Sequence, residues 1–308
     1  MNKIGVISIE GDVHVQALRH LSKNKGGSVL SFQPYHPRSA ELSSIFNIGD
    51  DGFAEMVDVD GRRHNLADIA CLWWRRPFGT NQLPESEVER LILSSMKHQI
   101  LGAFEIGFKG KILNRPVHAE RAELKHIQIQ EAKRAGLNVP RTLISNDGGA
   151  IRRFAEEQDG NVVMKSLFNT EKLQIKTTLL SPELLTDENS LSVCPTIYQS
   201  MVDGYQHVRA FVISNQYRAI VTENPAIDSR IDLSVPSRPY FFDPDTEAGI
   251  YRFMRQMRLD MGVFDFKIDQ LGKIWFFEVN QQGQFAYLDI SAEVGAMELL
   301  ANTMLAYQ

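Results

Sequence analysis

Cysteine is scarce. Cys71 and Cys194 are the only two in 308 residues and sit far apart in the chain, which argues against a disulfide scaffold and against thiolate zinc sites. No apolar run approaches the ~20 residues that span a bilayer, so no membrane partner is expected. Glu10 and Asp12 interrupt the apolar stretch after Ile4 to Ile9, so the N-terminus does not read as a secretory signal. There is no basic excess either. Lys and Arg total 33 against 38 Asp and Glu, a formal net charge of -5, which disfavours a nucleic-acid binder. The chain has no Gly-x-x-x-x-Gly-Lys phosphate loop and no Gly-x-Gly-x-x-Gly fingerprint. It also lacks a His-Glu-x-x-His pair and a Gly-x-Ser-x-Gly elbow. The eight histidines show no metal-ligand clustering, and His118 and His126 lie too far apart on one expected helix to share an ion. What is present is ordinary globular material, 43% hydrophobic and 23% charged, long enough for two or three lobes. A cytoplasmic location is the default expectation.

The pattern alternates strand and helix at first. Ile4 to Ile9 reads as a buried strand, and Glu10-Gly11-Asp12 turns into a helix carrying Val15, Leu18 and Leu21. Ser28 to Phe32 is a second strand, Ala54 to His64 a hairpin, Ile69 to Trp74 a strand stopped by Pro77, and Glu85 to Gly107 a helix. From Lys111 a new lobe is expected. Pro116 opens a helix that runs to a stop at Gly136, and Val162 to Lys165 is a strand with a hairpin partner in Gln174 to Leu180. The third lobe is read as strands Ile197 to Met201, Val208 to Ser214 and Tyr217 to Val221. A helix after Asp243 ending at Gly262, two further strands and a last helix from Ala292 to Leu305 complete it. The expected fold class is α/β leading into α+β, in three lobes at 1–110, 111–190 and 191–308.

The most informative stretch is Val263 to Asp269, a loop, then Ile274 to Asn280. Both arms alternate polar with apolar, so each reads as a half-buried strand. If Asp269 pairs with Ile274, Asp265 falls opposite Glu278, and cross-strand partners share a face. Glu278 and Asn280 share a face too, being two apart. Asp265, Glu278 and Asn280 therefore converge. Opposed carboxylates repel, and a hard cation such as Mg²⁺ with oxygen ligands would relieve them. The alternative is a solvated hairpin balanced by Lys267 or Lys273.

Three isolated basic groups stand out. Lys165 ends an apolar strand and needs an anion there, unless it snorkels to solvent. Lys125 is expected mid-helix beside Glu123, where a surface ion pair is the plain alternative. Arg209 shares a face with His207 and is suited to clamp a phosphate or carboxylate. Trp73-Trp74-Arg75-Arg76-Pro77 reads as an anion site or an interface corner, with the tryptophans packing.

Taken in order, these pieces resemble the ATP-grasp ligases, and within them the graspetide synthetases that mature microviridin-type peptides. A more distant likeness is to the ligases that add glutamate to a ribosomal protein. The resemblance runs from about Leu72 to the C-terminus. It rests on Trp73 to Pro77, on Asn114-Arg115-Pro116 followed by Ala122 to Lys125, on Gly136 to Asp147, and on Glu278 to Phe285. It implies a three-lobed fold with the nucleotide held between central and C-terminal lobes. It implies Asp265, Glu278 and Asn280 as Mg²⁺ ligands, Lys125 and Lys165 on the phosphates, and Arg209 on the transferred phosphate. It implies Gln199, Ser200 and Met201 as the hinge that reads the base. Asp228-Ser229-Arg230 would be the aspartate-x-arginine motif that binds substrate, with Arg230 catalytic beside Arg209 and Lys165. In another register Asp232 keeps the acid but Ser234 replaces the arginine. The loop after Lys165, Ser166 to Glu171, lacks the glycine common in that position. The implied activity is ATP- and Mg²⁺-dependent ligation through an acylphosphate, closing side-chain lactones or lactams in a ribosomally made precursor with a leader segment. A glutamate or amino-acid ligase is the alternative, and a non-catalytic nucleotide binder the alternative of another class. A homodimer is expected from the resemblance.

Overall fold

The structure is a computed structural model that describes residues 3–33, 46–48, 54–76, 86–167, 175–226 and 235–307. The N-terminal run contains β1 (Lys3–Ile7), α1 (Val13–Asn24), β2 (Ser28–Phe32), β3 (Phe46–Ile48), β4 (Ala54–Val57), β5 (Arg63–Asn65), β6 (Cys71–Trp74), α2 (Glu87–Gly107) and β7 (Lys111–Leu113). A parallel sheet forms in the order β2-β1-β6-β7, and β3, β4 and β5 make a small antiparallel sheet. All four residues of β6 are buried, as a parallel strand covered on both faces requires. One face packs Trp74, Phe104 and Phe108 under α2. Strand β7 belongs to this sheet, although the sequence reading opens the next lobe at Lys111.

The middle run contains α3 (Pro116–Glu123), α4 (Lys125–Arg134), β8 (Thr142–Ser145), α5 (Gly148–Glu156), β9 (Val162–Lys165), β10 (Thr178–Leu179), α6 (Pro182–Thr186), α7 (Glu188–Ser192) and β11 (Thr196–Ser200). Its sheet has the order β10-β9-β11-β8 and is antiparallel. Two expectations change here. Strand β11, grouped by the sequence with the third lobe, is the centre of this sheet. The single helix expected from Pro116 to Gly136 is two helices, broken at Leu124, whose backbone is extended at φ -76° and ψ 101°. Helical spacing continues through the break, so periodicity could not reveal it.

The last run contains β12 (Gln206–Ile213), β13 (Gln216–Glu223), β14 (Ser237–Pro239), α8 (Pro244–Met257), β15 (Met261–Ile268), β16 (Ile274–Asn280), α9 (Tyr287–Ala292) and α10 (Ala296–Leu305). Its antiparallel sheet has the order β14-β13-β12-β15-β16. Asp243 caps α8, and Arg258 in the left-handed region at φ 54° ends it. Gly262, expected as that stop, lies inside β15, where a Cβ would meet Val279 Cγ2 at 2.7 Å. The last helix starts at Ala296 rather than Ala292, because Asp289 caps its first amides, Ala296 N at 2.6 Å and Met297 N at 2.9 Å.

Three cores decide how the lobes join. The C-terminal sheet packs one face, with Phe264, Phe266, Phe276 and Val279, against α3, α4 and α8. Part of its other face, with Phe211, Ile213 and Val263, packs against Ile4, Val6 and Trp73 of the N-terminal sheet. The β8–β11 sheet keeps a separate small core of its own around Ile151, Val162 and Tyr198. Among the described residues, no helix is long and apolar enough to cross a membrane.

Candidate active site

The acidic hairpin supplies the floor of the site. The turn closes with Ile268 opposite Ile274 and Phe266 opposite Phe276, one residue off the register the sequence suggested. A bulge at Phe277 then shifts the pairing, so that Asp265 does face Glu278 and Val263 faces Asn280. Side-chain parity explains why. Ile274 and Phe276 point into the core, and strict alternation would send Glu278 after them. The extra residue lets Val279 take the next core position and turns Glu278 outward.

Arg209 is the partner of Asp265 on β12, so Arg209, Asp265 and Glu278 form one row across three strands. Arg209 Nη1 donates to Asp265 Oδ1 at 2.9 Å and Oδ2 at 3.1 Å, and Nη2 donates to the Gln284 carbonyl at 3.2 Å. Burial works against the Arg209 charge, but Asp265, Tyr287 and Glu278 hold its pKa above the ordinary value. Its Nε is buried and has no hydrogen-bond partner among the described residues.

Lys125 closes the other end of the row. Its Nζ donates to Glu278 Oε2 at 2.7 Å. It is the first residue of α4, not a mid-helix residue, and Glu123 instead accepts from Gln281 at 3.1 Å. The break at Leu124 makes this possible. It frees the Ala122 carbonyl, which takes a hydrogen bond from Gln128 Nε2. The same amide donates to Val279 O at 2.9 Å and accepts from Val279 N at 3.1 Å. Gln128 thus satisfies the outer backbone edge of β16 beside Glu278 and brings the start of α4 against it.

Lys165 faces this floor from β9. Its Nζ donates to Gln199 Oε1 at 2.9 Å and stands 4.3 Å from the centre of the Phe277 ring. Gln199 in turn donates to Thr142 Oγ1 at 3.0 Å. The amides of Ser200 and Met201 already donate to Arg141 O and Asn161 O, so those two N–H groups are not available to a base. Past them lies a cleft of about 310 Å³, lined by Ser200, Met201, Asp203, Asp269, Leu271 and Trp275 among others.

The segment after β16 is gripped from the N-terminal lobe. Arg75 is fully buried, pairs with Asp12 Oδ2 at 2.9 Å, and donates to the carbonyls of Gln282 and Gly283, each at 3.1 Å. His14 Nε2 accepts from the amides of Phe285 and Ala286, each at 3.0 Å. That requires the tautomer protonated at Nδ1, which faces Asp12 Oδ1 at 3.2 Å. Of the two readings for Trp73 to Pro77, the ion pair with Asp12 selects the interface corner. Sequence reasoning missed Gln128, Phe277, Tyr287 and the Gln284 carbonyl as parts of the site. A glutamine, an aromatic ring and a backbone oxygen carry no motif.

Asp265 and Glu278 are cross-strand partners, with Asn280 two residues on from Glu278, and the two carboxylates are held by Arg209 and Lys125. Hard oxygen donors suit a divalent cation such as Mg²⁺. The donor set is two acids and an amide; no group of three or more His, Cys, Asp or Glu side chains among the described residues could hold a metal. Asn280 Oδ1 also accepts from Gln282 N at 3.0 Å. Asp228, Arg230, Asp232 and Ser234 lie outside the described residues.

No family model and no curated protein matches the chain. Solved structures do. The macrocyclase MdnC bound with precursor peptide MdnA from Microcystis aeruginosa MRC superposes with a TM-score of 0.86 at 20% identity, covering 99% of each chain. A RiPP-associated ATP-grasp ligase from Chryseobacterium gregarium, in complex with ADP and a leader and core peptide, gives 0.83 at 19% identity, over 99% of this chain and 96% of that one. A RimK domain ATP-grasp protein from Sphaerobacter thermophilus DSM 20745 gives 0.60 at 14% identity, over 99% and 100%. At these identities the likeness is one of architecture, and the chain has the ATP-grasp fold expected from its sequence.

Proposed function

We propose that this protein is an ATP-dependent ligase that joins a carboxylate to a hydroxyl or amine within a precursor peptide, closing lactone or lactam rings. The observation that carries this reading is the row Arg209–Asp265–Glu278, ended by Lys125 and faced across the cleft by Lys165. Cations around paired acids suit phosphoryl transfer, where charge spreads over the moving phosphate. Similar structures support the substrates: one holds ADP with leader and core peptides, another a minimal precursor with Mg and ADP.

The substrate carboxylate oxygen attacks the γ-phosphorus of ATP, and the bond to ADP breaks. A hydroxyl or amine then attacks the acyl carbon, and phosphate leaves as the nucleophile loses its proton. Asp265, Glu278 and Asn280 would hold Mg²⁺, which supplies charge neutralisation on the phosphate oxygens. Arg209, which holds Asp265, brings a positive charge to the same row. Lys125 and Lys165 hold the phosphates, with Lys165 exchanging Gln199 for an anionic partner. Gln199 to Met201 begin the hinge that positions the base; with the Ser200 and Met201 amides taken, recognition extends to Val202 and Asp203. Arg230 and Asp228 bind the acidic side chain being activated. The leader segment joins the outer edge of the central sheet at β10, where Leu179 is exposed. A homodimer and a cytoplasmic setting complete the proposal. Val88, Leu91 and Ile92 give α2 an exposed apolar face on which a second copy could seat.

The test is incubation with Mg²⁺, ATP and a precursor peptide from the same source. Loss of one water per ring, with ADP release in step, is expected by mass spectrometry. Addition of free glutamate would assign the chain to the tailing ligases instead. Nucleotide binding without any turnover would leave a non-catalytic binder.

A further inference from the structure

Lys267 is a buried cation that none of the roles above uses. It lies on β15 two residues from Asp265 and on the same face of the sheet, opposite the face that packs Phe264 and Phe266 into the core. Only 8% of it is exposed. Among the described residues it has no hydrogen bond and no ion pair within 4 Å; burial disfavours its charge, and Asp203, at the cleft, opposes this only in part. A lysine largely withdrawn from water with no hydrogen-bond partner is costly, so its position suits an anion that arrives later.

Its position says which anion. The connection from β11 to β12 passes Met201 to Tyr205 and enters the sheet at Gln206 and His207. The first row of the sheet past it is His207–Lys267–Trp275, and the next is Arg209–Asp265–Glu278. Two residues along a strand span about 6.6 Å. A nucleotide with its base at the hinge cleft and its terminal phosphate at the second row must therefore cross the first. Trp275, the partner of Lys267, lines the cleft, as does Asp203. The groups crossing there are the ribose and the α-phosphate, and of these only the phosphate is charged.

We infer that Lys267 is a nucleotide-binding residue that takes the α-phosphate of the bound nucleotide. This rests on the nucleotide-binding part of the reading above. The ammonium has no competing hydrogen bond to surrender, so the phosphate gains a charge-assisted contact at a largely buried site.

Calorimetric titration of wild type, Lys267→Met and Lys267→Arg with ADP, AMP and adenosine tests this in the presence of Mg²⁺. Methionine keeps the length and apolar stem of lysine. The Met variant should bind ADP and AMP about tenfold or more weakly, with adenosine within about twofold of wild type. The Arg variant should recover part of the loss. Apo Lys267→Met should melt no lower than wild type, yet gain less from ADP. The inference is overturned if Lys267→Met binds ADP and AMP as wild type does, or if adenosine suffers equally. Wild type binding no nucleotide would overturn the proposed function together with this inference; a change confined to the variant speaks to Lys267 alone.

Discussion

Asp265 and Glu278 are direct cross-strand partners because one residue between the turn and the pair is left out of the ladder. The closing pairs of the hairpin would set Asp265 opposite Phe277. The bulge sets it opposite Glu278 and leaves Phe277 to lie beneath Lys165. One local irregularity thus places an acid and an aromatic ring in the cleft at once.

Deleting Phe277 should therefore remove the ring beneath Lys165 and leave the acids paired. Without the extra residue, plain alternation puts Ile274, Phe276 and Val279 on the core face and keeps Glu278 opposite Asp265. Chemical denaturation should place the deletion variant and Phe277→Leu within about 1.5 kcal/mol of wild type, while both lose the aromatic contact of Lys165. A deletion variant that loses about 3–5 kcal/mol, the cost of an uncompensated buried charge, would show that Glu278 had turned into the core.

Glu278→Gln and Asn280→Ala should each lower ATP-dependent turnover by about a hundredfold or more while the protein stays folded. Glutamine keeps the shape of Glu278 and removes its repulsion with Asp265, but offers a cation one weaker oxygen. Far-ultraviolet circular dichroism and ADP release at millimolar Mg²⁺ are the measurements. Near-normal release by Glu278→Gln would end the metal assignment.

Lys165→Ala should weaken binding of a non-hydrolysable ATP analogue by about tenfold, consistent with loss of a charged contact. The lysine is held by Gln199 and stacked on Phe277 before any ligand arrives, so the site is partly preorganised. Unchanged affinity together with an unchanged rate would return Lys165 to a structural role.

Stability should fall on mild acidification, and His14 should carry part of that fall. Burial lowers its pKa below the ordinary 6.5, Arg75 and Arg76 add to this, and Asp12 opposes it. Its Nε2 also faces two amide donors, which disfavour a proton there. The folded state therefore binds this proton less readily than the unfolded chain. The contribution is complete above pH 6.5 and is lost as pH falls toward the folded pKa, at up to about 1.4 kcal/mol per pH unit. Denaturation series from pH 7.5 to 5 on wild type and His14→Gln check this; an identical slope in both would assign the acid sensitivity elsewhere.

Most of the strands were legible because buried parallel runs and alternating hairpins carry their own periodicity. Ser28 to Phe32 was read with the boundaries the structure has. The pairing of Asp265 with Glu278 was also legible, although the assumed register at the turn was one residue out and the bulge restored it. The break at Leu124 was not. Its cause is the Gln128 amide reaching Val279, more than a hundred residues on, and no local pattern encodes that. Lys125 was read beside Glu123 for the same reason, since its partner Glu278 is set by packing. Arg75 looked like half of a charged motif; only the fold reveals that Asp12 already neutralises it.

The distribution of cores divides the molecule unevenly. The N-terminal and C-terminal sheets share one core, and α3 and α4 are fastened to the second face of the C-terminal sheet. The β8–β11 sheet has a separate core. It is connected to the rest through the stretches at 138–141 and 201–205, pinned at the first by Asn138 O accepting from Phe276 N at 2.8 Å. Mechanically there are two bodies, and the smaller one is a jaw on a double hinge. Arg209, Asp265, Glu278 and Lys125 all ride on the larger body, so their mutual spacing is indifferent to the jaw. Lys165 rides on the smaller. Any rocking of the jaw would change the distance from Lys165 to the row of charges beneath it, while the acids would keep their mutual geometry.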